Sequence, residues 1–86
     1  MDKKNFVKAK INVQMTPAEM LKTIRELQGL SQLDLAKLTG MTQSNISGLE
    51  TGARNIGRDR ALVLAKALKV HPAVILFPDF DIEQVA

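Results

Sequence analysis

The sequence contains no cysteine and only one histidine, His71, among its 86 residues. Disulfide bonds are therefore excluded, and so are zinc sites built from Cys and His ligands. No apolar run approaches the roughly 20 residues that a helix needs to cross a bilayer. The lysine-rich N-terminus is not followed by the apolar stretch of about 7–15 residues that a secretory signal requires. We therefore expect a cytoplasmic protein with no membrane partner.

The residue patterns that carry catalysis are also absent. The chain has no nucleophile–base constellation, no phosphate-binding glycine loop and no metal-ligand cluster. Asp79, Asp81 and Glu83 alternate near the C-terminus, where solvated charge is the expected role. We predict that the protein is not an enzyme and binds no metal or cofactor.

Charge is distributed unevenly along a chain that is long enough for one small domain. Residues 1–15 and residues 16–78 each carry a net charge of +3, whereas residues 79–86 carry −3. A mildly basic body suits a polyanionic partner, although many proteins are equally basic. We divide the chain into a basic N-terminal arm (1–15), one domain (16–77) and a short acidic tail (78–86).

The arm alternates apolar and polar residues from Val7 to Val13, which is the period of a half-buried strand. A lone strand has nothing to pair with inside a helical domain. Two interpretations stay open: a frayed basic tail, or a strand that pairs across a dimer or with the sheet edge of a partner.

Residue patterns typical of helices occur throughout residues 16–77. Thr16, Pro17 and Glu19 form a complete helix start, and the helix should end near Gln28, before Gly29. Its predicted buried stripe is Met20, Leu21, Ile24 and Leu27. An apolar helix should run from Arg58 to about Lys69, with core contacts from Leu62, Leu64, Ala65 and Leu68. A short last helix through Leu76 should begin with His71 as the cap and Pro72 at the first position.

Residues 31–52, SQLDLAKLTGMTQSNISGLETG, indicate two short helices joined by a tight turn. Ser31 and Thr42 are N-caps, and Gly40 suits the left-handed position that ends the first of these helices. Ile46 and Leu49 should bury the inner face of the second helix, which leaves its polar residues facing outward.

With five helices and a helix-turn-helix at the second and third, the chain resembles the lambda-repressor/Cro-like (XRE) family over about residues 16–77. The residues that carry the resemblance are RELQGLSQLDLAKLTGMTQSNISGLETGARN and ALVLAKALKV. The expected fold is all-α, with five helices and an additional N-terminal strand as an open point.

The resemblance implies a sequence-specific DNA-binding repressor whose third helix lies in the major groove of double-stranded operator DNA. The positions that match base-reading residues are Gln43, Ser44 and Ser47. Those that match or adjoin phosphate-contacting positions are Gln32, Thr42, Asn45, Arg54 and Asn55, and Arg58 at the start of the fourth helix is an additional candidate. Arg25 and Glu50 match an ion pair that positions the third helix.

Two residues depart from the family pattern. Gly48 stands where many relatives have a long polar side chain, so one base contact is missing, and glycine costs about 1 kcal/mol of helix stability relative to alanine. Thr39 replaces a usual aliphatic core residue. Selection should therefore rest on few side chains, with DNA shape contributing.

One such domain covers only a few base pairs, so a homodimer is expected. The candidate interface is either the N-terminal strand or the apolar C-terminal residues Val74, Ile75, Phe77, Phe80 and Ile82. The small size and the ending VHPAVILFPDFD resemble antitoxins of HigA type, which implies a RelE-like toxin as a protein partner. The alternatives are a stand-alone phage-type or chromosomal repressor, or a protein-binding adaptor without DNA contacts.

Overall fold

The computed structural model describes residues 15–78, which form five α-helices and contain no strand. The helices are α1 (Pro17–Leu27), α2 (Gln32–Thr39), α3 (Gln43–Thr51), α4 (Arg58–Leu68) and α5 (Pro72–Leu76). The predicted all-α, five-helix architecture is thus confirmed for this range. The strand predicted between Val7 and Val13 lies outside the described residues.

The first two helices begin with capping boxes. The hydroxyl of Thr16 accepts a hydrogen bond from the backbone N–H of Glu19 at 3.1 Å, and the Glu19 carboxylate accepts one from the Thr16 N–H. Ser31 and Asp34 make the same reciprocal pair at 2.9 Å. The hydrogen bonds from Ser31 hold the pKa of Asp34 below its ordinary value. Both helix starts are therefore fixed by residues within four positions of each other.

Left-handed residues end α2, α3 and α4. Gly40 and Gly52 have φ angles of 78° and 86°, a backbone conformation that a side chain disfavours. Lys69 takes the same position after α4 at φ 59° and is the non-glycine residue with positive φ in the described range.

The predicted role of His71 is confirmed, because its Nδ1 accepts the Ala73 N–H at 3.0 Å at the start of α5.

All five helices share one apolar core. α1 packs on α3 and α5, α2 packs on α3 and α4, and α4 packs on α5. The largest side chains with no exposed surface are Leu21, Leu35, Ile46, Leu49, Leu64, Leu68 and Ile75. None of the helices within residues 15–78 is long and apolar enough to cross a membrane.

Two predicted core residues lie on the surface. Leu27 is 81% exposed and Leu62 is 50% exposed. Successive helical residues are about 100° apart, so Leu27 projects about 120° away from Leu21 around α1. Arg25 occupies the buried side of α1 instead. In α4 the buried side begins at Ala61, which turns its neighbour Leu62 outward.

Candidate nucleic-acid interface

The third helix is held from one side and open on the other. Thr42 caps it by accepting the Asn45 N–H at 3.1 Å. Ile46 and Leu49 have no exposed surface, and Glu50 is also buried. The side of α3 opposite these three residues is open to solvent, so a large partner such as a DNA duplex could contact it.

The three predicted base-reading residues differ in their exposure to solvent. Gln43 and Ser44, at the first turn of α3, are exposed, whereas Ser47 is half-buried. Gln43 and Ser44 therefore project where a helix entering a groove with its N-terminal end would place them. Ser47 has less free surface than Gln43 and Ser44.

The ion pair predicted between Arg25 and Glu50 is present and bidentate. Nε of Arg25 donates to Oε2 of Glu50 at 2.6 Å, and Nη2 donates to Oε1 at 2.9 Å. The third nitrogen, Nη1, donates to the carbonyl of Leu30 at 2.7 Å. Both side chains are almost entirely buried, and the hydrogen bonds to Glu50 raise the pKa of the Arg25 guanidinium above its ordinary value. Arg25 thus ties α1 to the last turn of α3 and to the start of α2.

Gln32 joins the same carboxylate. Its Nε2 donates to Oε1 of Glu50 at 3.1 Å, so the first residue of α2 is linked directly to α3. The amide has a second N–H that this bond does not use. The sequence indicated Gln32 as a phosphate contact, and it gave no sign of this hydrogen bond with Glu50.

Arg54 lies against the helix that precedes it. Its backbone N–H donates to the carbonyl of Gly48 at 3.0 Å. A Cβ atom placed on Gly48 would lie 3.1 Å from Cδ, 3.3 Å from Cγ and 3.3 Å from Nε of Arg54. The arginine stem therefore crosses α3 at the one position of its open side that has no side chain. Spacing along the sequence could not show this contact, because it depends on the path of the loop after Gly52.

The remaining predicted phosphate contacts lie around the loop and the start of α4. Asn55 and Arg58 are exposed and line one shallow depression with Gly57, Asp59 and Arg60. Gly57 caps α4 without a side-chain hydrogen bond, unlike the caps of α1, α2 and α3. The backbone N–H groups in the first turn of α4 are therefore open to an outside acceptor. Thr42 is exposed and Asn45 is half-buried at the start of α3.

The predicted interface residues at the C-terminal end separate into three groups. Val74 and Phe77 are 40% and 62% exposed. Ile75 has no exposed surface and belongs to the core, so its assignment to an interface was wrong. Phe80 and Ile82 lie outside the described residues.

No metal site is formed in the part of the chain that the structure describes. Residues 15–78 contain no group of three His, Asp or Glu side chains placed to hold an ion. The described surface around α3 offers amide, hydroxyl and guanidinium groups, which suit hydrogen bonding to base edges and phosphates.

Comparisons with known proteins agree with this geometry. A helix-turn-helix family model matches residues 21–75. The restriction-modification controller protein C.AhdI from Aeromonas hydrophila is 37% identical, with a TM-score of 0.67 over 70% of this chain and 91% of its own. The P22 c2 repressor, solved in complex with a synthetic operator, is 25% identical, with a TM-score of 0.69 over 74% of this chain and 97% of its own.

A third solved structure is a point mutant of the restriction-modification controller protein C.Esp1396I. It is 30% identical, with a TM-score of 0.63 over 69% of this chain and 77% of its own. No curated protein matches the chain. Because the family model spans more than half of the sequence and C.AhdI is similar over most of its length, the chain belongs to the XRE family of lambda-repressor-like helix-turn-helix DNA-binding regulators.

Proposed function

We propose that this protein is a transcriptional repressor that binds operator DNA as a dimer, with α3 of each subunit in the major groove. The observation that carries the proposal is the arrangement of α3. Its inner side is fixed by Ile46, Leu49 and the ion pair of Glu50 with Arg25, while its first turn projects polar side chains into solvent. A helix held in this way can present side chains to base edges without first being ordered.

Base selection is assigned to Gln43, Ser44 and Ser47. A glutamine amide can form two hydrogen bonds with N6 and N7 of adenine, and a serine hydroxyl can donate to or accept from several base edges. Gln43 and Ser44 have the exposure that this role needs. Ser47, being half-buried, is assigned the smaller contribution.

Phosphate contacts are assigned to residues that surround α3. Gln32 can donate its second amide N–H to a phosphate while the first holds Glu50. Arg58 and Asn55 lie beside the uncapped N-terminus of α4, whose backbone N–H groups favour an anion. Asp59 lies in the same first turn and limits the positive potential there. Thr42 and Asn45, at the start of α3, complete this set.

Dimerisation is assigned to the C-terminal end of the domain. Val74 within α5 and Phe77 directly after it both expose apolar surface. A dimer places two α3 helices on half-sites about 34–36 Å apart, which supplies the affinity that a single domain lacks. The acidic residues that follow Pro78 lie outside the described range.

Similarity to solved structures favours one class of regulated genes over another. Two of the similar solved structures are restriction-modification controller proteins, at 37% and 30% identity. This favours a stand-alone regulator of a restriction-modification type of locus over the HigA-like antitoxin with a RelE-like toxin partner. The adjoining gene discriminates the two, because a controller would lie beside an endonuclease or methyltransferase and an antitoxin beside a small basic ribonuclease that co-purifies with it.

A binding titration tests the main proposal. Fluorescence anisotropy with duplex DNA from upstream of the gene should give binding at least 1000-fold tighter than with a shuffled duplex of equal length, the lower end of the usual specific range. The logarithm of the affinity should fall linearly with that of the salt concentration. Equal affinity for both duplexes would contradict sequence-specific repression, and no affinity for either would favour the protein-binding adaptor.

A further inference from the structure

Position 48 lies near the centre of the open side of α3. At about 100° per residue, it projects within about 30° of the direction opposite the buried Ile46, Leu49 and Glu50. It is also one turn after the exposed Ser44. A side chain at position 48 would therefore point toward any DNA in contact with α3, yet the residue there is glycine.

The stem of Arg54 fills that space. Its Cγ, Cδ and Nε atoms lie within 3.3 Å of the place that a Cβ of residue 48 would take, and its backbone N–H is bound to the Gly48 carbonyl. Two independent contacts thus hold Arg54 against the same point of α3. The glycine is what permits this close approach, because a Cβ there would push the stem back by a few tenths of an ångström and a longer side chain would displace it further.

The guanidinium of Arg54 is uncommitted in the described structure. Arg54 is exposed, and within residues 15–78 no carboxylate forms an ion pair with it and no acceptor takes a hydrogen bond from its side chain. Its stem is already positioned, so binding would order only the end of the side chain. Arg25, by contrast, has all its donor nitrogens engaged inside the protein.

We propose that Arg54 is a base-reading residue that replaces the missing side chain of Gly48 and selects guanine in the major groove. Guanine offers two adjacent acceptors, O6 and N7, which match the fork of a guanidinium, whereas adenine offers one acceptor beside a donor. This inference rests on the proposed function and deepens it. It changes the role that sequence resemblance gives Arg54, from a phosphate contact to a specificity determinant.

Selection from a library of randomised duplex DNA tests the inference. The wild-type chain should select a motif with a guanine that is preferred roughly 10-fold or more over other bases. Arg54→Ala should lose that preference and keep the rest of the motif. Arg54→Lys should retain the charge but lose most of the guanine preference, because an ammonium cannot form the paired hydrogen bonds. Circular dichroism should show unchanged helicity for each variant.

Two further variants separate this role from simple charge or packing. Arg58→Ala removes the same charge from a predicted phosphate contact and should weaken binding to all sequences alike while the motif stays intact. Gly48→Gln should displace the Arg54 stem and abolish the guanine preference although Arg54 is still present. A motif that keeps its guanine in Arg54→Ala or Gly48→Gln overturns the inference. A wild-type chain that selects no motif overturns the proposed function and the inference with it.

Discussion

The carboxylate of Glu50 accepts hydrogen bonds from two other helices. Arg25 of α1 donates twice and Gln32 of α2 donates once, so three of the five helices meet at one buried side chain. Charges are expensive to bury, and this pair is compensated only while both partners are in place. The orientation of α3 therefore depends on residues that need not touch DNA.

Replacing Arg25 tests this dependence. Arg25→Met should lower the free energy of unfolding by about 3 kcal/mol or more, because Glu50 is left charged and buried. Urea unfolding followed by circular dichroism measures the change. The double variant Arg25→Met, Glu50→Met should recover most of the loss.

Glu26→Gln is the matched control for that experiment. Glu26 lies 3.9 Å from Nη2 of Arg25, but its side chain is 58% exposed. Its replacement should change stability by less than about 0.5 kcal/mol. A loss below about 1 kcal/mol in Arg25→Met would show that the pair behaves as a surface ion pair.

Replacing Gln43 should change the sequence preference of DNA binding, whereas replacing Gln32 should change its overall affinity. Gln43→Ala should reduce discrimination at one base step by about 1–3 kcal/mol, because a paired hydrogen bond to a base is lost. Gln32→Ala should weaken binding to all duplexes alike, since phosphates carry no sequence information and the two hydrogen bonds from Arg25 to Glu50 still hold α3. Competition titrations with single-base operator variants measure both. Equal losses on every variant for Gln43→Ala would assign it to the backbone.

At the scale of single helices, the end of α4 carries strain. Lys69 adopts φ 59°, a left-handed conformation that costs a residue with a side chain about 1–2 kcal/mol. Lys69→Gly should therefore raise the free energy of unfolding by up to about 1 kcal/mol, the gain being reduced by the greater freedom of glycine in the unfolded chain. A higher urea midpoint at unchanged slope is the expected readout.

Lys66→Gly provides the comparison within the same helix. Lys66 is exposed in the last turn of α4, where the backbone is right-handed. Glycine there should destabilise by about 1 kcal/mol. If both substitutions destabilise equally, the left-handed position of Lys69 carries no strain that glycine relieves.

Helix boundaries could be predicted from the sequence, whereas several helix faces could not. The caps at Thr16, Ser31 and Thr42 involve residues within three positions, so local chemistry decides them. The apolar spacing predicts a core position for Leu27, whereas a buried Arg25 in that stripe is recognisable only through its partner Glu50. The contact of Arg54 with Gly48 depends on loop geometry, for which the sequence has no periodic signal.

At the scale of the whole molecule, exposed apolar surface remains at the C-terminal end of the domain. Val74 and Phe77 lie there, while Ile75 between them fixes α5 to the core. Because α5 also packs on α1 and α4, an interface built on it would be rigidly connected to α3 through the core. Half-site spacing would then be set by the domain itself.

Phe77→Asp should separate the subunits. A charge in an apolar interface should raise the dimer dissociation constant about 10-fold or more, as measured by sedimentation equilibrium. Operator binding should become weaker and more steeply dependent on protein concentration. Leu62→Asp is the control, since Leu62 is 50% exposed on α4 and is not assigned to the interface. Unchanged sedimentation of Phe77→Asp would place the interface elsewhere.

Glycine at position 48 lowers helix propensity but leaves room for Arg54. Helix stability and DNA selectivity therefore favour different residues at this position. Alanine there would add about 1 kcal/mol of helix propensity, offset by its close contact with the Arg54 stem, and it differs from glycine by a single methyl group. That methyl would push the Arg54 stem back by a few tenths of an ångström and so move the guanidinium that we propose reads guanine. A lineage that needs its operator should therefore retain the residue of lower helix propensity, and positions 48 and 54 should change together when a new operator is acquired.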